Sequence, residues 1–205
     1  MNNITKRFFS LKNSGVDLEQ ALDIGAYRND FTNILKSVWP NIRVQQFEAD
    51  ERQKQYLQED AQIVLLGDSE RTVDFYTIED QGWGTTTGSS IFRENTVHYQ
   101  DPNIVSKQMT TLDKVVDMSG DWNKGLVKID AQGSELLILE GAKQFLKLNP
   151  KYILLECSIV EYNQGAPLVA DVMSYMSNIN YKMVDIFDVN YMNDQLIQMD
   201  ILFTR

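Results

Sequence analysis

The strongest constraint in this sequence is an alternation. Short apolar runs of strand length recur along the chain, and amphipathic helical stretches stand between many of them. The strand-like runs are ALDIG (21–25), IRVQQFE (42–48), QIVLLG (62–67), TVDFYTI (72–78), GLVKID (125–130), YILLEC (152–157), YKMVDIF (181–187) and QLIQMDILF (195–203). Among the helical stretches, residues 31–38 put Phe31, Ile34, Leu35 and Val38 on one face. Residues 134–147 do the same with Leu139, Ala142, Phe145 and Leu146, and residues 167–178 with Val169, Val172, Met173 and Met176. Residues 50–59 read as a polar helix with Tyr56 and Leu57 facing in. Strands alternating with helices of this length predict a mostly parallel sheet covered on both faces. Taken as YKMVDIFDVN (181–190) and QLIQMDILF (195–203), the last two runs are separated only by the short polar stretch YMND, which predicts a hairpin whose final strand runs antiparallel.

At 205 residues the chain fits one domain. The pattern places it at 20–205. Residues 1–19, with Phe8, Phe9 and Leu11, read as a helical extension packing on the sheet or on a second copy. Residues 79–108 break the pattern with glycines, Ser/Thr clusters and no period. A stretch this long inside a compact domain reads as a substrate lid or a surface insertion.

Composition removes several function classes. The net charge is -10 and no Lys/Arg run is present, which argues against a nucleic-acid or anionic-membrane partner. Cys157 is the only cysteine and His98 the only histidine. An intrachain disulfide is therefore impossible, and a cysteine- or histidine-based metal site is not expected. The N-terminal segment lacks the apolar core of a signal peptide, and no run approaches about 20 apolar residues. A soluble, cytoplasmic protein is the expectation.

In an open parallel sheet, ligands bind beyond the carboxyl ends of the strands. Five strand ends in this sequence carry an acid: Asp23, Glu48, Asp68 after Gly67, Asp130 and Glu156. One such acid usually caps the next helix. Five gathered at one edge call for a cationic or multiply donating ligand. Glu48 lies 23 residues after Gly25. An acid about 20 residues beyond a glycine turn suits ribose hydroxyls, because a carboxylate can accept from both. The turn is not the dinucleotide fingerprint, since Tyr27 and Asp30 stand where further glycines would be needed. The surrounding acids would also repel a pyrophosphate. S-adenosylmethionine, with an adenosine, a sulfonium and an ammonium, fits the charge better.

Four stretches then carry a resemblance: D-I-G-A at 23–26, F-E at 47–48, T-L-D at 111–113 and K-I-D-A-Q-G-S-E-L-L-I-L-E-G-A at 128–142. They resemble the FkbM family of class I methyltransferases over roughly residues 20–190, and 128–142 is the specific part. The resemblance implies a three-layer, doubly wound, Rossmann-like α/β fold. Its seven-stranded sheet would have the order 3-2-1-4-5-7-6 with strand 7 antiparallel. It implies methyl transfer from S-adenosylmethionine to oxygen, typically a hydroxyl of a sugar, glycan or related natural product. Carried over, Asp23, Gly25, Ala26 and Tyr27 would lie by the methionine end of the cofactor. Glu48 and Ala49 would lie by the ribose, and Gly67 and Asp68 by the adenine. Asp130 would face the ammonium or the reacting hydroxyl. The chain has Tyr27, Asn29 and Ala49 where the family tends to have Asn, Gly and Pro. A non-catalytic module with an altered cofactor loop is therefore the alternative reading.

Methyl transfer to a hydroxyl needs alignment and a base. The candidate catalytic acids are Asp130, Glu135 and Glu156. Glu135 equally suits the start of a helix. Gln132 can donate to and accept from an acceptor hydroxyl, and His98 is a fourth candidate base and a second candidate on the acceptor side. Cys157, Met173 and Met176 read as core. A small-molecule or glycan acceptor is the expected partner, with a homo-oligomer possible from the N-terminal extension.

Overall fold

The computed structural model describes residues 3–79, 87–96 and 99–205. His98 lies outside the described residues.

Helix α1 (Asn3–Asn13) precedes β1 (Gln20–Ile24), α2 (Asp30–Val38) and β2 (Arg43–Glu48). A 3-10 turn (Glu51–Tyr56) leads to β3 (Gln62–Ile63), β4 (Leu65–Leu66) and β5 (Arg71–Thr77). After β6 (Asn103–Thr110) come α3 (Leu112–Val115), β7 (Gly125–Ile129), α4 (Glu135–Glu140), β8 (Tyr152–Ser158) and α5 (Val169–Asn178). The chain closes with β9 (Lys182–Met192) and β10 (Gln195–Thr204). Seven strands form the main sheet in the order β3-β2-β1-β7-β8-β10-β9. Counted along the chain within that sheet, this is 3-2-1-4-5-7-6. β10 runs antiparallel to both β8 and β9, as the hairpin predicts. Asn193 and Asp194 close that hairpin with φ of 49° and 62°, left-handed values that Asn and Asp tolerate.

The two-residue period of the strands sorts the side chains into two layers. On one face, Leu22, Val127, Ile129, Ile153, Leu155 and Ile201 join Ile138 and Leu139 of α4 and Val172 and Met176 of α5. On the other, Ala21, Val44, Leu126, Leu154 and Leu202 join α1 and α2. There Phe8 packs edge-to-face on Phe31, Trp39 and Phe187, with ring centroids 4.8–5.8 Å apart. The N-terminal helix is thus built into the core of this layer.

Several local readings change. The 62–67 run is two strands: β3 completes the main sheet, and β4 joins a second, three-stranded sheet of order β4-β6-β5. β6 begins inside the stretch read as aperiodic and runs two residues past its end. Only Met109 of its eight residues is buried, so burial imposes no alternation on it. The expected 50–59 helix is a 3-10 turn that buries Gln53, while Tyr56 stays 46% exposed beneath the Arg28 guanidinium. The 134–147 stretch is a six-residue helix followed by a 3-10 turn (Phe145–Leu148). Asp113 causes the break: its carboxylate accepts from Gln144 N and Phe145 N, both at 2.8 Å, and caps the second piece. Met173, read as core, is exposed, whereas Met176 and Cys157 are core.

Candidate functional site

The loop after β1 begins at Gly25, with φ 75°. Its amide and that of Ala26 donate to Phe47 O at 2.9 and 3.2 Å, which ties the loop to β2. Tyr27 and Asn29 also take left-handed backbone, with φ of 46° and 68°. These are the positions where the family tends to have other residues, and the turn keeps a shape glycine favours. Asn29 is held by its side chain, whose Oδ1 accepts from Gln46 Nε2 at 2.7 Å.

Glu48 stands at the end of β2, 8% exposed. One carboxylate oxygen accepts from Tyr27 N and the other from Asp50 N, each at 2.8 Å. Burial raises its pKa above the ordinary carboxylate value, against the pull of those two amides. Each oxygen has two acceptor sites and uses one, so a ligand can be offered two more.

Two cavities meet at this loop. The first, about 160 Å³, lies on the α4 face. Glu48, Ala49 and Asp50 form one wall, Leu65, Leu66 and Phe75 a second, and Ile138 closes it below. Residues 87–91 also line it. Ser90 pairs with Tyr76 through both backbone bonds and donates its hydroxyl to Gln132 O at 2.8 Å. Ser89 Oγ donates to Asp50 at 3.1 Å. The second cavity, about 250 Å³, lies on the α1/α2 face. Gly25, Tyr27 and Asp130 line both.

The remaining predicted residues separate into three groups. Asp130 faces both cavities; Gln132 lines the first, and Ala26 and Glu156 line the second. Gln132, at φ 52°, donates its amide to Asp130 Oδ1 and Glu156 Oε2, both at 2.9 Å, and so links the two carboxylates. Asp23, Gly67, Asp68 and Glu135 line neither cavity. Asp23 is fully buried; its Oδ2 accepts from Thr32 Oγ1 at 2.7 Å, and its Oδ1 lies 3.7 Å from Lys128 Nζ. Gly67 is packed against Gly141, where a Cβ would come within 2.0 Å of its carbonyl oxygen. Asp68 pairs with Arg71. Glu135 is buried, and its Oε1 accepts from Ala131 N at 2.8 Å and Gly133 N at 3.2 Å, clamping the loop after β7. Burial pushes its pKa up to about 7.

Sequence reasoning passed over Lys128 and Asp200, both in the second cavity. Lys128 Nζ donates to Gly25 O at 2.9 Å and lies 3.4 Å from Asp130. Burial opposes its charge, but the carboxylates of Asp130 and Asp23 outweigh this and raise its pKa. Asp200 pairs in register with Glu156. Burial and then Asp130 push its pKa up to about 7. A charged residue inside an otherwise buried apolar strand was the available signal for both. Among the described residues, no three His, Cys, Asp or Glu side chains converge as metal ligands do. None of the described helices is long and apolar enough to cross a membrane.

A family model described as the methyltransferase FkbM domain matches residues 23–183. No curated protein matches the sequence significantly. Among solved structures, a methyltransferase FkbM from Methylobacillus flagellatus KT superposes with a TM-score of 0.58 at 16% identity. That match covers 96% of this chain and 48% of the other, so the chain spans about half the length of that relative. Magnesium protoporphyrin IX methyltransferase from Synechocystis PCC 6803, solved with bound SAM, superposes with a TM-score of 0.53 at 10% identity. There the match covers 98% of this chain and 77% of the other.

Proposed function

The chain belongs to the FkbM methyltransferase family, and we propose that it transfers a methyl group to a hydroxyl of a sugar, glycan or related natural product. S-adenosylmethionine is the cofactor this membership carries. When bound, it supplies a methyl group on a sulfonium sulphur, and the C–S electron pair stays on sulphur as the thioether of S-adenosylhomocysteine.

The first cavity has the donor set for it. The carrying observation is Glu48, whose two oxygens each keep an acceptor site for a ribose hydroxyl while backbone amides hold the carboxylate still. The apolar side chains of Leu65, Leu66, Phe75 and Ile138 suit an adenine ring. Gly25, Tyr27 and Asp130 lie toward the second cavity, and there a carboxylate suits the cationic end of the cofactor. In this reading the acceptor is a neutral small molecule or glycan, and the setting is cytoplasmic.

Calorimetry with S-adenosylmethionine and S-adenosylhomocysteine tests the reading, with NADH as control. Both nucleosides should bind in the micromolar range, NADH should not, and Glu48→Ala should weaken binding by about tenfold to a hundredfold, the loss of one or two charged hydrogen bonds. Absence of nucleoside binding to the wild type would sink the reading.

A further inference from the structure

Strand parity explains why the second cavity has the lining it has. Asp23, Lys128, Glu156 and Asp200 alternate with residues of the α4/α5 layer, so all four point to the α1/α2 face. They sit on β1, β7, β8 and β10, four adjacent strands of the sheet. Most of these groups are already engaged. Thr32 and Lys128 hold Asp23. Gln132 and Gln198 both donate to Glu156 Oε2, at 2.9 and 3.1 Å, and Lys128 donates to Gly25 O. The Asp200 carboxyl differs: it lines the cavity and accepts no hydrogen bond from any described residue. The carboxyl is half-buried, so its acceptor sites stay open on the cavity side, where a donor can reach them.

Opposite the acids, Ile4 of α1 and Phe31 and Ile34 of α2 form an apolar wall, and Leu154 of β8 adds an apolar side chain beside Glu156 on the sheet. This wall exists because α1 folds into the core rather than hanging free. A ligand in the second cavity and one in the first would meet across the ridge of Gly25, Tyr27 and Asp130.

Resting on the methyltransferase reading above, we propose that the second cavity is the acceptor pocket and that Asp200 is its proton acceptor. The acceptor class is a neutral hydroxyl compound with one apolar face, such as a deoxysugar ring. The hydroxyl faces Asp200, and the apolar face lies on Ile4, Phe31 and Ile34. As the acceptor oxygen forms its new bond to carbon, its O–H bond breaks and the proton moves to a carboxylate oxygen of Asp200. The resulting carboxylic acid later releases that proton to water. Asp130, Glu156, Glu135 and Asp188 surround Asp200 with negative charge, and Lys128 provides the opposing positive charge. Their sum disfavours an anionic acceptor. It also makes Asp200 a stronger base than an ordinary carboxylate.

The test reads binding, with methyl α-L-rhamnopyranoside as the probe and saturation-transfer NMR as the readout. The protein is the 205-residue chain, saturated with S-adenosylhomocysteine. The wild type should bind the probe more tightly above pH 7 than below it, because ionised Asp200 is the better acceptor. Ile4→Trp, which fills the pocket, should weaken the probe by at least about tenfold while S-adenosylhomocysteine affinity stays within about twofold. Ile4→Ala, which opens the pocket, should keep both. Asp200→Asn should still bind the nucleoside but lose the pH dependence of probe binding. The proposal falls if the nucleoside binds and the probe does not, or if Ile4→Trp leaves the probe untouched. It falls equally if the pH dependence survives in Asp200→Asn, or if cyclohexylamine binds in preference to the sugar. A wild type that binds no nucleoside overturns the methyltransferase reading instead, so the two failures are distinct.

Discussion

Gly25 lies so close under Asp130 that a Cβ on it would stand 1.8 Å from the Asp130 carbonyl oxygen. The loops after β1 and β7 therefore touch backbone to backbone, and that contact makes the ridge between the two cavities. Neither loop can move alone. Asp130 N donates back to Ile24 O at 3.1 Å, and Lys128 Nζ reaches Gly25 O.

Gly25→Ala carries two penalties at once. The residue holds φ 75°, where a Cβ costs about 1–2 kcal/mol. The overlap with Asp130 adds an overpacking term of about 1–3 kcal/mol. The variant should melt well below the wild type in a thermal scan, and its surviving folded fraction should bind S-adenosylhomocysteine weakly. An unchanged melting temperature would mean the two loops are not in contact in solution.

Glu135 offers a way to tell a clamp from a base. Its Oε1 is occupied by the amides of Ala131 and Gly133, and it faces neither cavity. Gln can accept the same two bonds through its own Oε1. Glu135→Gln should therefore keep S-adenosylhomocysteine affinity within about threefold, while Glu135→Ala, which strands two buried amides, should lose roughly 1–3 kcal/mol of stability. Chemical denaturation and calorimetry on the pair check this. Equal losses in both variants would show that charge rather than hydrogen bonding matters at this position.

The main sheet was legible because its central strands are buried on both faces and so read as continuous apolar runs. ALDIG and YILLEC are examples. β6 was not legible, since a strand with one buried side chain out of eight leaves no period to see. Tyr56 misled because an aromatic at helical spacing normally packs inward, and here Arg28 covers it from outside. In the site, the acids at the ends of β2 and β7 could be read from position alone, because parallel strands leave their carboxyl ends at one edge. Asp200 could not. It sits in β10, the antiparallel strand next to the sheet's edge, well before that strand's end, and only the register with Glu156 brings it to the same edge as the other acids. Asp23 looked like Asp130 in the sequence, yet Thr32, nine residues later on α2, takes it into the core.

Asp200 also leaves a mark on stability. Its pKa is raised from the ordinary 3.8 to about 7, first by burial and then by Asp130. The folded chain therefore holds a proton there more tightly than the unfolded chain does. Between about pH 4 and pH 7 the unfolded state has given up that proton and the folded state has not. Stability from this group is thus fully present at low pH and is lost as pH rises through the folded value. Asn keeps the size of the side chain without the charge. The stability of Asp200→Asn relative to the wild type should therefore climb from about pH 4 to about pH 7 and level off above that, and the variant should melt above the wild type at pH 8. Urea unfolding of both proteins at pH 4.5, 6 and 8 measures it. A constant difference across that range would show that the Asp200 carboxyl titrates as it does in water, and that the second cavity is open to solvent at that point.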